Sequence, residues 1–288
     1  MIMKKVLAFI MVLLPLALCA QVRVVTPPET EKPVIKYDSI NNIPRFYIEG
    51  FLGQELYLPP RPDHLKEYGY QDIYRTEHNH TGSIPCDEIA GHTFKVTDIK
   101  RGENITYFYY LKLEDEETGT PYYYTYSLTQ TSWNFITLGY KAKYEATNKG
   151  KEFVALRIIV EKDINTGKLV DKDRGSIWTF QEIVASANDG MSYLFTNKDG
   201  EAVTINTYGI GDMKPKAEID KLRKKYGPRM CDTAIQGNIK IGMPDVLVEL
   251  AWGKPDKINR ASYGEQWVYG EYGDDCVYFK NGKVTGWN

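Results

Sequence analysis

Three patterns of apolar spacing follow one another along the 288 residues. The first is a single apolar run, Val6 to Leu18, interrupted only by Pro15 and preceded by Lys4 and Lys5. The second, from about Pro44 to Thr207, is a series of short alternating runs, among them Thr93 to Val96, Thr106 to Leu113 and Tyr122 to Leu128. Side chains alternate across a strand, so Tyr107, Tyr109, Leu111 and Leu113 share one face. Turn residues part these runs: Thr118-Gly119, and Thr196-Asn197-Lys198-Asp199-Gly200, where Asp-Gly readily adopts the positive φ of a tight hairpin. The third pattern begins at Lys216, where Ile219, Leu222 and Tyr226 lie three and four apart with charges between them, as on a helix that Gly227-Pro228 ends.

The first run reads as an export signal. It is too short for a comfortable membrane span, and Leu18-Cys19-Ala20 offers a cleavage site with a small residue in last place. Residues 1–20 are therefore expected to be removed. The rival reading lipidates Cys19, but Leu18 stands where a lipid-attachment signal has a small residue. The chain is expected to be exported, periplasmic or extracellular, with outer-membrane association left open and no transmembrane span. Residues 21–43, Pro-rich and polar, read as an extended leader.

The alternating region predicts β-rich units over 44–134 and 135–210, barrel-like or sandwich-like, with one small unit used twice as a further reading. Gly91-His92-Thr93-Phe94-Lys95-Val96 resembles Gly150-Lys151-Glu152-Phe153-Val154-Ala155, and a Leu-Gly pair precedes each, at Leu52-Gly53 and Leu138-Gly139. The intervals from those pairs disagree, so the sequence favours chance similarity. Glu114 to Glu117, with Asp115 among them, reads as a solvated hairpin tip, because it lacks the alternating ligands of a calcium loop.

After Lys216 comes an α+β module over 216–288. Pro244 introduces a helix whose apolar face is Val246, Leu247, Leu250 and Ala251; Gly253 and Pro255 stop it. Glu265–Tyr269, Cys276–Lys280 and Lys283–Trp287 form a three-strand antiparallel meander, the last two joined at Asn281-Gly282. The whole chain is thus of α+β class.

Composition narrows the function. Net charge is −2, so no electrostatic footprint of nucleic-acid binding is present. The 22 tyrosines suit half-buried strands first and recognition surfaces second. Removal of Cys19 leaves Cys86, Cys231 and Cys276, an odd number that cannot form a complete set of disulfides. Cys231 and Cys276 share the last module and either pair in an oxidising compartment or remain as two buried thiols.

All four histidines, His64, His78, His80 and His92, fall in one window with Cys86. In an extended segment His78 and His80 point to one side; with Cys86 and His92 they form a conceivable metal set of non-standard spacing. Cys86 beside a histidine is also a conceivable nucleophile and base. No G-x-S-x-G elbow, phosphate loop or dinucleotide fingerprint occurs, so no cofactor is expected.

Residues 218–288 resemble the SmpA/OmlA (BamE-like) domain family of bacterial envelope proteins. The matching string is Ile241-Gly242-Met243, Val246, Gly253-Lys254-Pro255, Gln266-Trp267-Val268-Tyr269, Val277-Tyr278-Phe279 and Gly282-Lys283-Val284, with Lys225-Tyr226-Gly227 upstream. Trp267 and Phe279 fill the core between helix and sheet, and Gly242 and Gly253 open and close the helix, so these positions imply fold and no chemistry. The resemblance implies an envelope protein that works by binding another protein. The chain departs from the assembly lipoproteins of that family in its signal and its long β region. Two readings stand: an exported binding or structural module, expected to show an exposed aromatic patch and no deep polar cleft, and a metal-dependent hydrolase centred on residues 64–92.

Overall fold

The structure, a computed structural model, describes residues 37, 39–77, 82–102, 108–130, 133–186, 190–262, 264–270 and 275–288, apart from the side chains of residues 45–47. The signal, most of the leader, His78, His80 and Tyr107 lie outside them. Residues 35–288 pack as one unit. Among the described residues no helix is long and apolar enough to cross a membrane.

The architecture is mixed α and β with strands predominating. The first sheet follows a 3-10 helix at Arg45–Phe51. Its strands are β1 (Glu55–Tyr57), β2 (Ile73–Tyr74), then, after the short helix α1 (Cys86–Ile89), β3 (Thr93–Arg101), β4 (Phe108–Asp115), β5 (Pro121–Ser127) and β6 (Ile136–Thr137). They lie in the order β2-β5-β4-β3-β1-β6, every pair antiparallel. The tyrosines of β5 explain much of the unusual composition. Tyr122, Tyr124 and Tyr126 all point inward and are buried, meeting Phe94, Trp133 and Phe135 edge-on at centroid distances of 5.2 to 5.8 Å. Edge-to-face contact sets the electropositive rim of one ring on the negative face of another. The end of the supposed leader is fastened to this sheet. The Asn42 side chain accepts from the Thr137 N–H (2.7 Å) and donates to the Phe135 carbonyl (3.0 Å), and Tyr37 packs on the core.

The helix α2 (Leu138–Asn148) leads into the second sheet: β7 (Glu152–Ala155), β8 (Ile159–Lys162), β9 (Leu169–Lys172), β10 (Ile177–Ser186), β11 (Gly190–Thr196), β12 (Ala202–Asn206), a 3-10 turn at Gly209–Asp212, and β13 (Met213–Pro215). Strands β8 and β9 pair only with each other, and the rest take the order β12-β11-β10-β7-β13. Both sheets are open rather than closed barrels.

The connection order of the two sheets is the same. In each, an opening strand (β1 or β7) is followed by an insert, a three-strand meander, and a short strand that returns to the far side of the opening strand. The agreement reaches single hydrogen bonds. The Gly53 N–H donates to Val96 O (2.8 Å), and the Val96 N–H returns a bond to Gln54 O (2.9 Å); Gly150 and Lys151 make the same exchange with Phe180 (2.9 and 3.0 Å). Both glycines have φ near +80°, a region L side chains avoid. A bulge follows Val96 in β3 and Phe180 in β10. Asp115 and Asn197 occupy one role in the two distal hairpins, each accepting the N–H two residues on (2.9 and 3.0 Å). The sequence match is therefore corrected. Gly150-Lys151-Glu152-Phe153 corresponds to Gly53-Gln54-Glu55-Leu56, not to the segment at Gly91, and the inserts of unequal length are what hid it.

The last third contains α3 (Lys216–Tyr226), α4 (Pro228–Ile235), α5 (Asp245–Trp252), and the antiparallel strands β14 (Lys257–Ala261), β15 (Gly264–Tyr269), β16 (Asp275–Lys280) and β17 (Lys283–Trp287), paired in sequence order. This sheet has four strands where the sequence pattern predicts three. The extra one, β14, is exposed at every residue, so no apolar alternation marks it. The core of the module is not its own. Val154 and Leu156, from the second sheet, belong to the cluster formed by Met243, Leu247, Val248, Val277 and Val284. Phe153 and Ala155 face the second core, whereas Val154 faces the third. Strand β7 is thus covered on both sides, which accounts for its unbroken apolar run.

Candidate functional site

Of the candidate metal set, the structure describes Cys86 and His92. His78 and His80 lie outside the described residues. His64 is exposed on a 3-10 turn at Asp63–Tyr68. Cys86 opens α1 with its side chain in the first core, and burial pushes its thiol up, away from a reactive thiolate. Among the described residues no three His, Cys, Asp or Glu side chains are grouped to hold a metal ion.

His92 has another role. Its Nδ1 lies 2.8 Å from Asp115 Oδ2, and its Nε2 lies 3.5 Å from Glu117. Asp115 is fully buried, which corrects the reading of 114–117 as a wholly solvated tip. It is buried because it is satisfied: besides His92 it accepts from the Glu117 N–H (2.9 Å) and the Thr118 hydroxyl (3.0 Å). Burial pushes its carboxyl up, but the bonds from His92, Glu117 and Thr118 outweigh this and hold it below the usual range. A carboxyl depressed on folding stabilises the chain above its unfolded pKa, and that contribution is lost as pH falls through the folded one. We therefore expect the urea midpoint of the wild type to fall between about pH 4 and pH 2 more steeply than that of Asp115→Asn. Equal slopes in a two-pH titration would refute this.

The residues of the envelope-domain resemblance keep the fold of the last module. Gly242 and Gly253 have φ of +80° and +83° at the two ends of the α5 segment, and Pro255 follows the stop. Met243 is buried under the sheet. Trp267 lies 4.7 Å from Phe279 between centroids. The Tyr269 ring meets Trp252 edge-on, and its hydroxyl donates to the Gly253 carbonyl at 3.3 Å. Asn281 and Gly282 both take positive φ in the last hairpin. Cys231 and Cys276 are not joined: Cys231 is buried on α4, and the Cys276 sulfur accepts from the Gln266 amide at 3.2 Å on the opposite side of the sheet from Val277. The second alternative, separate buried thiols, is the one the structure adopts.

A side chain that sequence reasoning passed over ties this module to the second sheet. Arg174, in the loop between β9 and β10, donates from Nε to the Ile235 carbonyl (2.8 Å) and from Nη2 to the Ala251 carbonyl (3.2 Å). These oxygens end α4 and α5, where carbonyls lack helical partners and a cation meets the negative end of the dipole. Gly237 lets the guanidinium in, since a Cβ there would lie 3.0 Å from it.

The surface best suited to recognition is the outward face of the first sheet. Lys100 stands opposite Tyr110, and a second row runs Asp98, Lys112, Tyr123, Tyr74 across β3, β4, β5 and β2. The three tyrosines are half-buried. Burial raises the Tyr74 phenol above its ordinary value. Lys100 is held by Glu77 at 2.5 Å. The result is a row of half-buried amphipathic rings beside two lysines on one face of the sheet. Among the described residues eight other tyrosines are buried in the cores, so the patch is narrower than the composition suggested.

No family model matches the chain, and the comparisons with curated proteins and with solved structures gave no match.

Proposed function

We propose that the chain is an exported protein of the bacterial envelope that acts by binding another protein and carries out no chemistry of its own. The observation that carries this reading is the sheet face that sets Tyr74, Tyr110 and Tyr123 beside Lys100 and Lys112. Tyrosine supplies large contact area at low entropic cost and keeps a polar tip, which is why it is enriched in protein interfaces. A sheet face of this kind suits a broad partner surface rather than an enclosed substrate. The export-like amino end and the SmpA/OmlA-like string at 218–288 support an envelope setting, with the last module as a second docking element.

The test uses the mature chain from residue 21 cross-linked in an envelope fraction, beside the double variant Tyr110→Ser, Tyr123→Ser. Both side chains are half-exposed, so the variant is expected to fold with an unchanged circular dichroism spectrum. Loss of two central aromatics should weaken a specific complex by about tenfold or more. A complex that survives undiminished, or no specific cross-link to the wild type, would defeat the proposal.

A further inference from the structure

A cleft of about 630 Å³ opens between the second β unit and the last module. Its volume is in the range of small-molecule sites. One wall is the 3-10 turn with Gly211 and Asp212, continued by Lys214; the second is α3, with Glu218 and Leu222; the third is α5 and the turn after it, with Val246, Glu249, Trp252 and Lys254. Arg157 and Arg174 complete the lining.

The charges in this cleft are unusual in being unspent. Lys214, Lys254, Asp212, Glu218 and Glu249 make no ion pair among the described residues. Arg174 is committed to the two helix ends. Arg157 is not committed: its guanidinium is held against Gly209, its Nε is buried without a hydrogen-bond partner, and its one ion pair, Nη2 to Glu161, is long at 3.5 Å. A guanidinium has five donors in a planar fork that matches a carboxylate, and leaving a buried donor unmet is costly. The cleft thus gathers cations and carboxylates that do not pair with one another, together with the apolar side chains of Leu222, Val246 and Trp252. A ligand bearing both signs of charge on an apolar body would satisfy both sets.

We propose that this cleft binds a small zwitterion, a free amino acid or the end of a short peptide, with its carboxylate on Arg157, its ammonium toward Glu218 and Glu249, and its apolar side chain along Trp252. The site is separate from the tyrosine face and does not depend on it.

The experiment titrates the full mature chain with phenylalanine, the dipeptide leucylphenylalanine, phenylalaninamide and N-acetylphenylalanine, following the indole N–H signals by NMR. The two zwitterions should shift the Trp252 signal in a saturable way, and the tighter of them identifies the source. Phenylalaninamide lacks the carboxylate and should bind about tenfold more weakly or worse, and Arg157→Gln should weaken the zwitterions by a similar factor. Misfolding is a rival cause of any loss in Arg157→Gln, so Gly211→Leu serves as a second variant. A Cβ at Gly211 meets nothing within 4 Å, so the added side chain fills the cleft, and binding should vanish with the thermal midpoint unchanged. The proposal is overturned if phenylalaninamide binds as well as phenylalanine, if either folded variant retains full binding, or if neither zwitterion saturates the wild type below about 10 mM, a Kd weaker than roughly 3 kcal/mol of binding.

Discussion

Alanine at Trp178 should lower the stability of the chain by about 3–5 kcal/mol, the largest effect expected of any single truncation here. Trp178 is fully buried in the second core, and its indole N–H donates to the Ser176 hydroxyl at 2.9 Å. It stands in β10 opposite Phe153 of β7, and Phe180, two residues on, lies at the bulge. Alanine there removes most of a large side chain from a site bounded by backbone on three strands, which cannot close over the space. Urea unfolding followed by far-ultraviolet circular dichroism is the measurement, because it does not depend on the lost fluorophore. A loss below about 1 kcal/mol would show that this core is not packed as described.

Alanine at Arg174 should act differently, by freeing one part of the molecule from another. Two carbonyls at helix ends lose their donor, and hydrogen bonds to a charged group are worth about 1.5–3 kcal/mol each in such settings. We expect about 3 kcal/mol in all, since solvent can reach part of the site. Lysine should not restore it, because a single ammonium cannot reproduce a planar fork that reaches Ile235 and Ala251 at once. Hydrogen exchange should localise the loss: amides of 228–235 and 245–252 should exchange faster, while those of β4 and β5 keep their protection. Uniform acceleration throughout, or rescue by lysine, would contradict the role given to Arg174.

These two residues show what the sequence made legible. Strands with one wet face declare themselves by alternation, so β5, with Tyr122, Tyr124 and Tyr126 inward, was readable, as were α3 and α5 from three- and four-residue spacing. Elements whose burial is one-sided by chance of neighbourhood were not. Of α2, Tyr140 alone is buried, and α4 begins at a Gly-Pro pair that normally signals an end. Strand β14 carries Lys257, Asn259 and Arg260 on an open edge, a charge pattern that deters unwanted pairing and also hides the strand. The hydrogen bonds of Arg174 span 61 and 77 residues, and no local rule reaches that far. The candidate surfaces were visible only as ingredients. Composition announced many tyrosines without saying which face of β5 would be wet, and the cleft is built from three segments that meet only in the folded chain. Of the histidine window, the role of His92 was not legible: its partner Asp115 lies 23 residues on, in a hairpin turn.

The common hydrogen-bonded frame of the two sheets has a practical corollary. In each sheet the insert leaves after the opening strand and rejoins before the meander, at 58–92 in one and 156–176 in the other. The ladder bonds that fix register close on either side of these departures. The inserts themselves are held by β2, Tyr70 and Ile89 in the first and by Ile159, Val170 and Arg174 in the second, so variation in length and sequence is confined to their exposed turns, at 63–68 and 164–168, where new specificity can be written at little cost to folding.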